Sequence, residues 1–179
     1  DVAGNELPMW VADMDFETAP EIRDAIQKRA GHGAFGYTLI PDEWYESIQN
    51  WWETRHQFRI EKDWLIFCTG VVPAISSAVR TLTTPAEKVV LLTPVYNIFF
   101  NSVVNNGRYV VECPLSYDGE CYDVDFEALE EVLSDPQTTM LVFCNPHNPV
   151  GKIWTRETME RIGELCWKYH VVVISDEIH

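Results

Sequence analysis

Asp176 closes the run VVVISD, in which four apolar residues and a serine lead up to one carboxylate. A carboxylate at the end of such a run is largely desolvated, which is costly unless a cation or a hydrogen-bond donor faces it. Two roles fit: capping the loop that follows, or keeping the ring nitrogen of a ligand protonated. Asn148 lies in CNPHNPVG (144–151), between Pro146 and Pro149, with His147 beside it. Its amide suits either a ligand oxygen or, as in many turns, its own backbone. Thr69-Gly70-Val71-Val72 reads as a glycine turn into a helix. Such a turn leaves N–H groups unpaired at the positive end of the helix dipole, a cradle for phosphate in form and also a common connector. No G-x-G-x-x-G and no G-K-[ST] follows, against a dinucleotide or P-loop site. Tyr96, just past Pro94, either stacks on a flat ligand or packs over a helix start.

These residues need elements that bring them together. A helix is expected to open at Ala19-Pro20-Glu21, to carry Ile22, Ala25 and Ile26 on one face, and to close at Gly31. A second follows Pro41, itself expected in the first helical turn, with Trp44, Ile48, Trp51, Trp52 and Arg55 at helical spacing. From Trp64 the pattern alternates. Strands are expected at WLIFC (64–68), KVVLL (88–92), RYVVEC (108–113), TMLVF (139–143) and VVVISDE (171–177). Helices are expected after Gly70, from about Tyr96 to Asn106, after a cap at Asp125, and after Thr155. Strands apolar throughout are buried on both faces. Five of them separated by helices predict an α/β fold with a mainly parallel sheet. Ligands collect at the carboxyl ends of such strands. The loops CTGVVP, TPVYN, CNPHNPVG and SDEIH therefore belong to one rim.

The composition excludes several classes of partner. The 179 residues hold 13 Lys plus Arg against 28 Asp plus Glu, a formal charge of −15. That disfavours a nucleic-acid backbone or an anionic membrane surface, but not a small anion held by backbone N–H groups. Five cysteines (68, 113, 121, 144 and 166) form no C-x-x-C pair and read as reduced thiols of a cytoplasmic protein. The five histidines show no metal-ligand spacing, so no metal is expected. No apolar run approaches the roughly 20 residues of a membrane span, and no signal peptide is evident.

NPxNPxG followed at the right spacing by a strand ending in SDEIH resembles the large domain of the pyridoxal-phosphate enzymes of the aspartate aminotransferase superfamily (fold type I). LPMWVADMDF (7–16), FGYT (35–38) and SDEIH (175–179) are similar to the MalY/PatB-like cystathionine β-lyase branch. The resemblance implies an α/β/α sandwich around the sheet, with residues 1–38 as an N-terminal arm and small-domain segment and 39–179 as part of the large cofactor-binding domain. It implies pyridoxal 5′-phosphate as cofactor, with Val71 and Val72 N–H groups on its phosphate. Tyr96 and Ile178 would lie on opposite ring faces, Asn148 on the phenolic oxygen and Asp176 on the ring nitrogen. Tyr37 would reach the phosphate of the neighbouring subunit of a homodimer, Val11 and Ala12 would lie beside the substrate carboxylate, and Trp10 would be near the cleft. His179 would lie toward the phosphate.

The family's Schiff-base lysine lies in a Ser-x-x-Lys segment beyond the Asp strand. Lys28, Lys62, Lys88, Lys152 and Lys168 do not match it, and the family's carboxylate-binding arginine is also unmatched. The chain thus reads as an N-terminal fragment with no catalytic residue of its own, inactive alone. The activity the resemblance implies is α,β-elimination from cystathionine or cysteine-like amino acids, giving pyruvate, ammonia and a thiol. An aminotransferase shares every residue named. A regulatory or interaction protein that keeps the fold is the reading from another class.

Overall fold

The computed structural model describes Gly4 and residues 16–179, and the backbone divides into two units, Asp1–Trp64 and Leu65–His179. Trp10, Val11 and Ala12 lie outside the described residues.

In the first unit, helix α1 spans Pro20–Gly31 and α2 spans Asp42–His56. Pro41 is the N-cap of α2 rather than a residue of its first turn, in extended backbone at φ −74° and ψ 157°. The α2 C-terminus turns through Gln57 in the left-handed conformation, whose N–H returns to the Glu53 and Trp52 carbonyls. The chain then folds back on α2: Trp52 meets Phe58 edge-on at 6.0 Å, Gln49 Nε2 donates to the Ile60 carbonyl at 2.7 Å, and Lys62 pairs with Asp42 at 2.7 Å.

The second unit is built on a four-stranded sheet of β1 (Lys88–Thr93), β2 (Tyr109–Pro114), β5 (Thr138–Cys144) and β6 (Val172–Asp176). Their order is β2-β1-β5-β6, and every pairing is parallel. Between β2 and β5 the chain adds a two-stranded hairpin, β3 (Ser116–Tyr117) and β4 (Tyr122–Asp123), which the sequence pattern did not suggest. The helices are α3 (Val71–Leu82), α4 (Ile98–Val104), α5 (Phe126–Leu133) and α6 (Arg156–Lys168). Both expected caps form: Asp125 accepts from the Glu127 and Ala128 N–H groups, and Thr155 accepts from Thr158.

Alternate residues of each strand feed two cores. Val89, Leu91, Met140 and Val142 pack with Ile75 and Val79 of α3 and Phe99 and Val103 of α4. Val90, Leu92, Leu141 and Phe143 pack with Leu129 and Leu133 of α5 and Ile162 and Cys166 of α6. Burial of β1 and β5 on both faces follows from helices covering both sides, whereas Val172 and Val173 of β6, expected to be buried, are exposed. Arg108, just before β2, is buried and is held mainly by hydrogen bonds to carbonyls and a hydroxyl. Its guanidinium donates to Thr83 Oγ1 (2.8 Å), to the Thr83 carbonyl (2.6 Å) and to the Arg80 carbonyl (3.2 Å), so it closes the carbonyl end of α3.

The expected strand at 64–68 does not form. Trp64 ends a short 3₁₀ turn (Lys62–Trp64), and Leu65–Cys68 is irregular. An apolar run becomes a strand only when a neighbour supplies ladder hydrogen bonds, and none of the described strands pairs with this one. Ile66 is accordingly 83% exposed.

Replacing fully buried Leu141 by alanine should cost about 2–5 kcal/mol through lost burial and the cavity left behind. Replacing Trp167, 84% exposed on α6, should change stability by less than ~0.5 kcal/mol. Urea midpoints of the two variants, read against the unaltered chain, check the contrast.

Candidate active site at the carboxyl ends of the strands

A parallel sheet delivers the ends of β1, β5 and β6 to the same side. The β5–β6 ladder runs from Met140 opposite Val172 to Cys144 opposite Asp176, and continues one rung further as the Asn145 N–H donates to the Asp176 carbonyl at 3.0 Å. Asp176 is 8% exposed. One carboxylate oxygen accepts the Ile178 N–H at 3.1 Å, so the capping role is real. The other takes no hydrogen bond, and no lysine, arginine or histidine pairs with this carboxylate among the described residues. A buried carboxylate left half-satisfied suits a cationic or N–H partner supplied from outside the protein.

Asp176 lines a cleft of about 390 Å³ together with Val71, Ala74, Ile75 and Ala78 of α3 and Ile174 to Ile178. Helix α3 starts at this cleft. Gly70 is its N-cap, at φ +156°, where a residue with a Cβ is disfavoured, and no side chain caps the first turn. The N–H groups of Val71 and Val72 donate to nothing among the described residues, and Pro73 has none to offer. The first turn therefore presents two bare donors at the positive end of the helix dipole. Val71 lines the cleft, Val72 is exposed at its edge, and Ile178 is an exposed part of the lining.

The turn after β5 is held by its own side chains. Trp154 Nε1 donates to the Cys144 carbonyl at 3.0 Å, and the Trp154 N–H donates to Asn145 Oδ1 at 3.2 Å. The Asn148 N–H reaches Cys144 Sγ at 3.4 Å, and the Gly151 N–H donates to the His147 carbonyl at 2.7 Å. The Asn145–Pro146 and Asn148–Pro149 peptides are cis. The Asn148 side-chain amide takes no partner among the described residues, so it is not the turn former that Asn-Pro sequences often supply. It faces a second cleft of about 290 Å³, lined by Pro146, His147, Pro149, Gly151 and His179.

His147 is 1% exposed, and its Nε2 lies 2.9 Å from the carbonyl of Pro94, in the loop that carries Tyr96. Tyr96 is 39% exposed, with its ring edge-on to Phe99 at 5.7 Å. It therefore packs over the start of α4 and still presents surface at the rim. Burial lowers the pKa of His147 from its ordinary 6.5 and raises that of Cys144 from 9.0. Both are neutral near pH 7.

The structure thus groups Val71, Asp176 and Ile178 at one cleft and Asn148 with His179 at the other, and links Tyr96 to the second through His147. Tyr37 is fully exposed in the first unit. No lysine lines either cleft. Lys62, Lys88, Lys152 and Lys168 are engaged by Asp42, Asp135, Asp123 and Glu130, and Lys28 lies in the last turn of α1. Cys144, Asn145, His147 and Trp154 were not singled out as the frame of the turn. Only the apolar Trp154 downstream of the double Asn-Pro hinted at it.

Residues 7–179 match the aminotransferase class I and II family. The chain is 44% identical over 173 residues to cystathionine β-lyase PatB of Bacillus subtilis and 36% identical over 174 residues to protein MalY of Escherichia coli, in each case across 97% of this chain and 45% of the relative. Cystalysin of Treponema denticola, whose crystal structure contains a pyridoxal 5′-phosphate cofactor, superposes with a TM-score of 0.92 at 38% identity, over 99% of this chain and 45% of that one. The chain spans about half the length of the curated relatives it matches.

The pKa of His147 sets a pH dependence. The unfolded chain takes up a proton at this histidine as pH falls through 6.5, whereas the buried ring resists it. The unfolded state then binds more protons, so stability falls as pH drops below that value and levels off once the folded ring also protonates. The chain should lose stability between about pH 7 and about pH 5, and a His147→Phe variant should lack that component. Urea titrations of both proteins at the two pH values measure it.

Proposed function

Because the chain belongs to the aminotransferase class I and II family, we propose that the protein is a pyridoxal-phosphate-dependent carbon–sulfur β-lyase. Its substrate would be cystathionine or a related cysteine S-conjugate, cleaved to pyruvate, ammonia and a thiol. The observation that carries the reading is the half-satisfied carboxylate of Asp176 beside the bare N–H groups of α3. A phosphate and a protonated ring nitrogen on one small molecule match that pair. The 44% identity to a cystathionine β-lyase supports the choice of reaction.

When bound, the cofactor supplies a ring that draws electrons from the bond broken at the amino acid's α-carbon. The Val71 and Val72 N–H groups would hold its phosphate. Asp176 would keep a proton on the ring nitrogen, Asn148 would donate to the phenolic oxygen, and Tyr96 and Ile178 would pack against the ring. His179 borders the site next to Asn148. Tyr37 would complete the phosphate site of a second subunit in a homodimer, and Trp10, Val11 and Ala12 are assigned to substrate binding. Residues 39–179 belong to the large cofactor-binding domain and 1–38 to the arm, a functional division distinct from the geometric one at 64/65. The amine that anchors the cofactor comes from outside these 179 residues, since no lysine of the chain lines either cleft. Five free cysteines accord with a cytoplasmic location.

An aminotransferase remains the second reading, favoured by the family to which the chain belongs. The two reactions differ in product. A lyase releases pyruvate from cystathionine with no keto-acid acceptor present, whereas an aminotransferase consumes an acceptor and releases none.

Incubation of the intact protein with pyridoxal phosphate, borohydride reduction and intact-mass measurement should show one reduced adduct. Pyruvate release from cystathionine should fall roughly 10²–10³-fold in Asp176→Asn, the scale expected when one preorganised electrostatic partner of a transition state is removed. Unchanged turnover in that variant would remove Asp176 from the site.

A further inference from the structure

His147 is a buried side chain of the rim with one ring nitrogen unused among the described residues. Its Nε2 lies 2.9 Å from the Pro94 carbonyl, while Nδ1 is buried with no hydrogen-bond partner among the described residues. A carbonyl accepts only from an N–H, so Nε2 carries the proton and Nδ1 is bare. The ring is wedged edge-on against Trp154, with centroids 5.5 Å apart, and Trp154 is itself anchored to the Cys144 carbonyl. The backbone on each side of the ring is also committed: the His147 N–H donates to the Lys152 carbonyl at 2.7 Å, and its own carbonyl accepts from Gly151. His147 therefore cannot shift without disturbing the whole turn.

The bond to Pro94 joins two loops that are 53 residues apart in the chain. Pro94 lies two residues before Tyr96, and His147 directly precedes Asn148. We propose that His147 is a positioning residue, a neutral hydrogen-bond strut that fixes the spacing between the Tyr96 ring and the Asn148 amide. Its importance for cofactor binding rests on the function proposed above, but its mechanical role does not. The imidazole touches neither a ligand nor a reacting atom; it acts through the two residues beside it. A neutral ring suits the task, because no carboxylate among the described residues pairs with it. The groups that face the ring are the Pro94, Cys144 and Leu92 carbonyls and the Trp154 indole.

Three measurements on the intact protein decide the proposal. In the unaltered protein, histidine-selective ¹⁵N spectra should show His147 protonated at Nε2 and bare at Nδ1 at neutral pH. A proton on Nδ1 would overturn the strut. In His147→Phe, which keeps the packing and loses the bond, amide hydrogen exchange should rise about tenfold in both 94–97 and 145–151, the equilibrium worth of one hydrogen bond. His147→Gln, whose amide can reach the same carbonyl, should restore much of the protection. Faster exchange confined to 145–151 would mean that the ring supports its own turn only, and would overturn the coupling. Pyridoxal-phosphate affinity, followed by absorbance, should weaken about tenfold in His147→Phe and recover in His147→Gln. If the unaltered protein binds no pyridoxal phosphate, the proposed function fails, while the tautomer and the two-loop exchange still decide the strut.

Discussion

The rung from the Asn145 N–H to the Asp176 carbonyl, 3.0 Å long, is the contact on which the site depends. It extends the β5–β6 ladder past the last residue of β5 and so fixes where both rim loops begin. Side chains alternate along a strand, so a slip of one residue would exchange the faces of Ser175 and Asp176. The carboxylate would then turn away from Val71 and Ala74, with which it lines the cleft. The register is held by burial on both sides. Val142 and Cys144 point into the core under α3 and α4, and Leu141 and Phe143 into the core under α5 and α6. No neighbouring register satisfies both cores.

Electrostatics at the rim follow from where the cations are spent. Four of the five lysines face carboxylates, and Arg108 closes the end of α3 with its guanidinium. Neither cleft is lined by a lysine or an arginine. In a chain of net charge −15, an anion must then be held by backbone N–H groups rather than by a basic side chain. The first cleft combines such donors with a buried carboxylate at its floor. Those two features together suit a ligand that carries both signs of charge.

Much of the frame was legible because its signals are local. Runs of four apolar residues within KVVLL, TMLVF and VVVIS marked three of the parallel strands, and Asp125 and Thr155 announced the helices they cap. The strand expected at 64–68 carried the same signal and failed, since pairing depends on a neighbour that no local pattern encodes. The hairpin of Ser116–Tyr117 and Tyr122–Asp123 was missed for the opposite reason. Two residues per strand are too few to show a period, and what identifies the hairpin is the stacking of Tyr117 on Tyr122 at 4.6 Å. Asp176 and Gly70 could be singled out because a carboxylate after an apolar strand and a glycine before a helix are unusual in themselves. His147 could not, because its partner is a backbone carbonyl 53 residues away.

The two Asn-Pro pairs show how far sequence alone reaches. Asn145 and Asn148 have the same side chain, the same following residue and a cis peptide after each. In the octet CNPHNPVG only the preceding residues, Cys144 for one and Pro146-His147 for the other, set them apart. The fold gives them separate roles, through the ladder. Asn145 follows the last residue of β5, so its backbone N–H is committed to β6. Its side chain is then turned back toward the chain returning into α6, where Oδ1 takes the Trp154 N–H and Nδ2 meets Met159 Sδ at 3.4 Å. Three residues later the chain has left the sheet. The Asn148 N–H finds only the Cys144 sulfur, a weak acceptor, and its side-chain amide is left to the cleft. Asn145 stabilises the turn, and Asn148 is what the turn holds out.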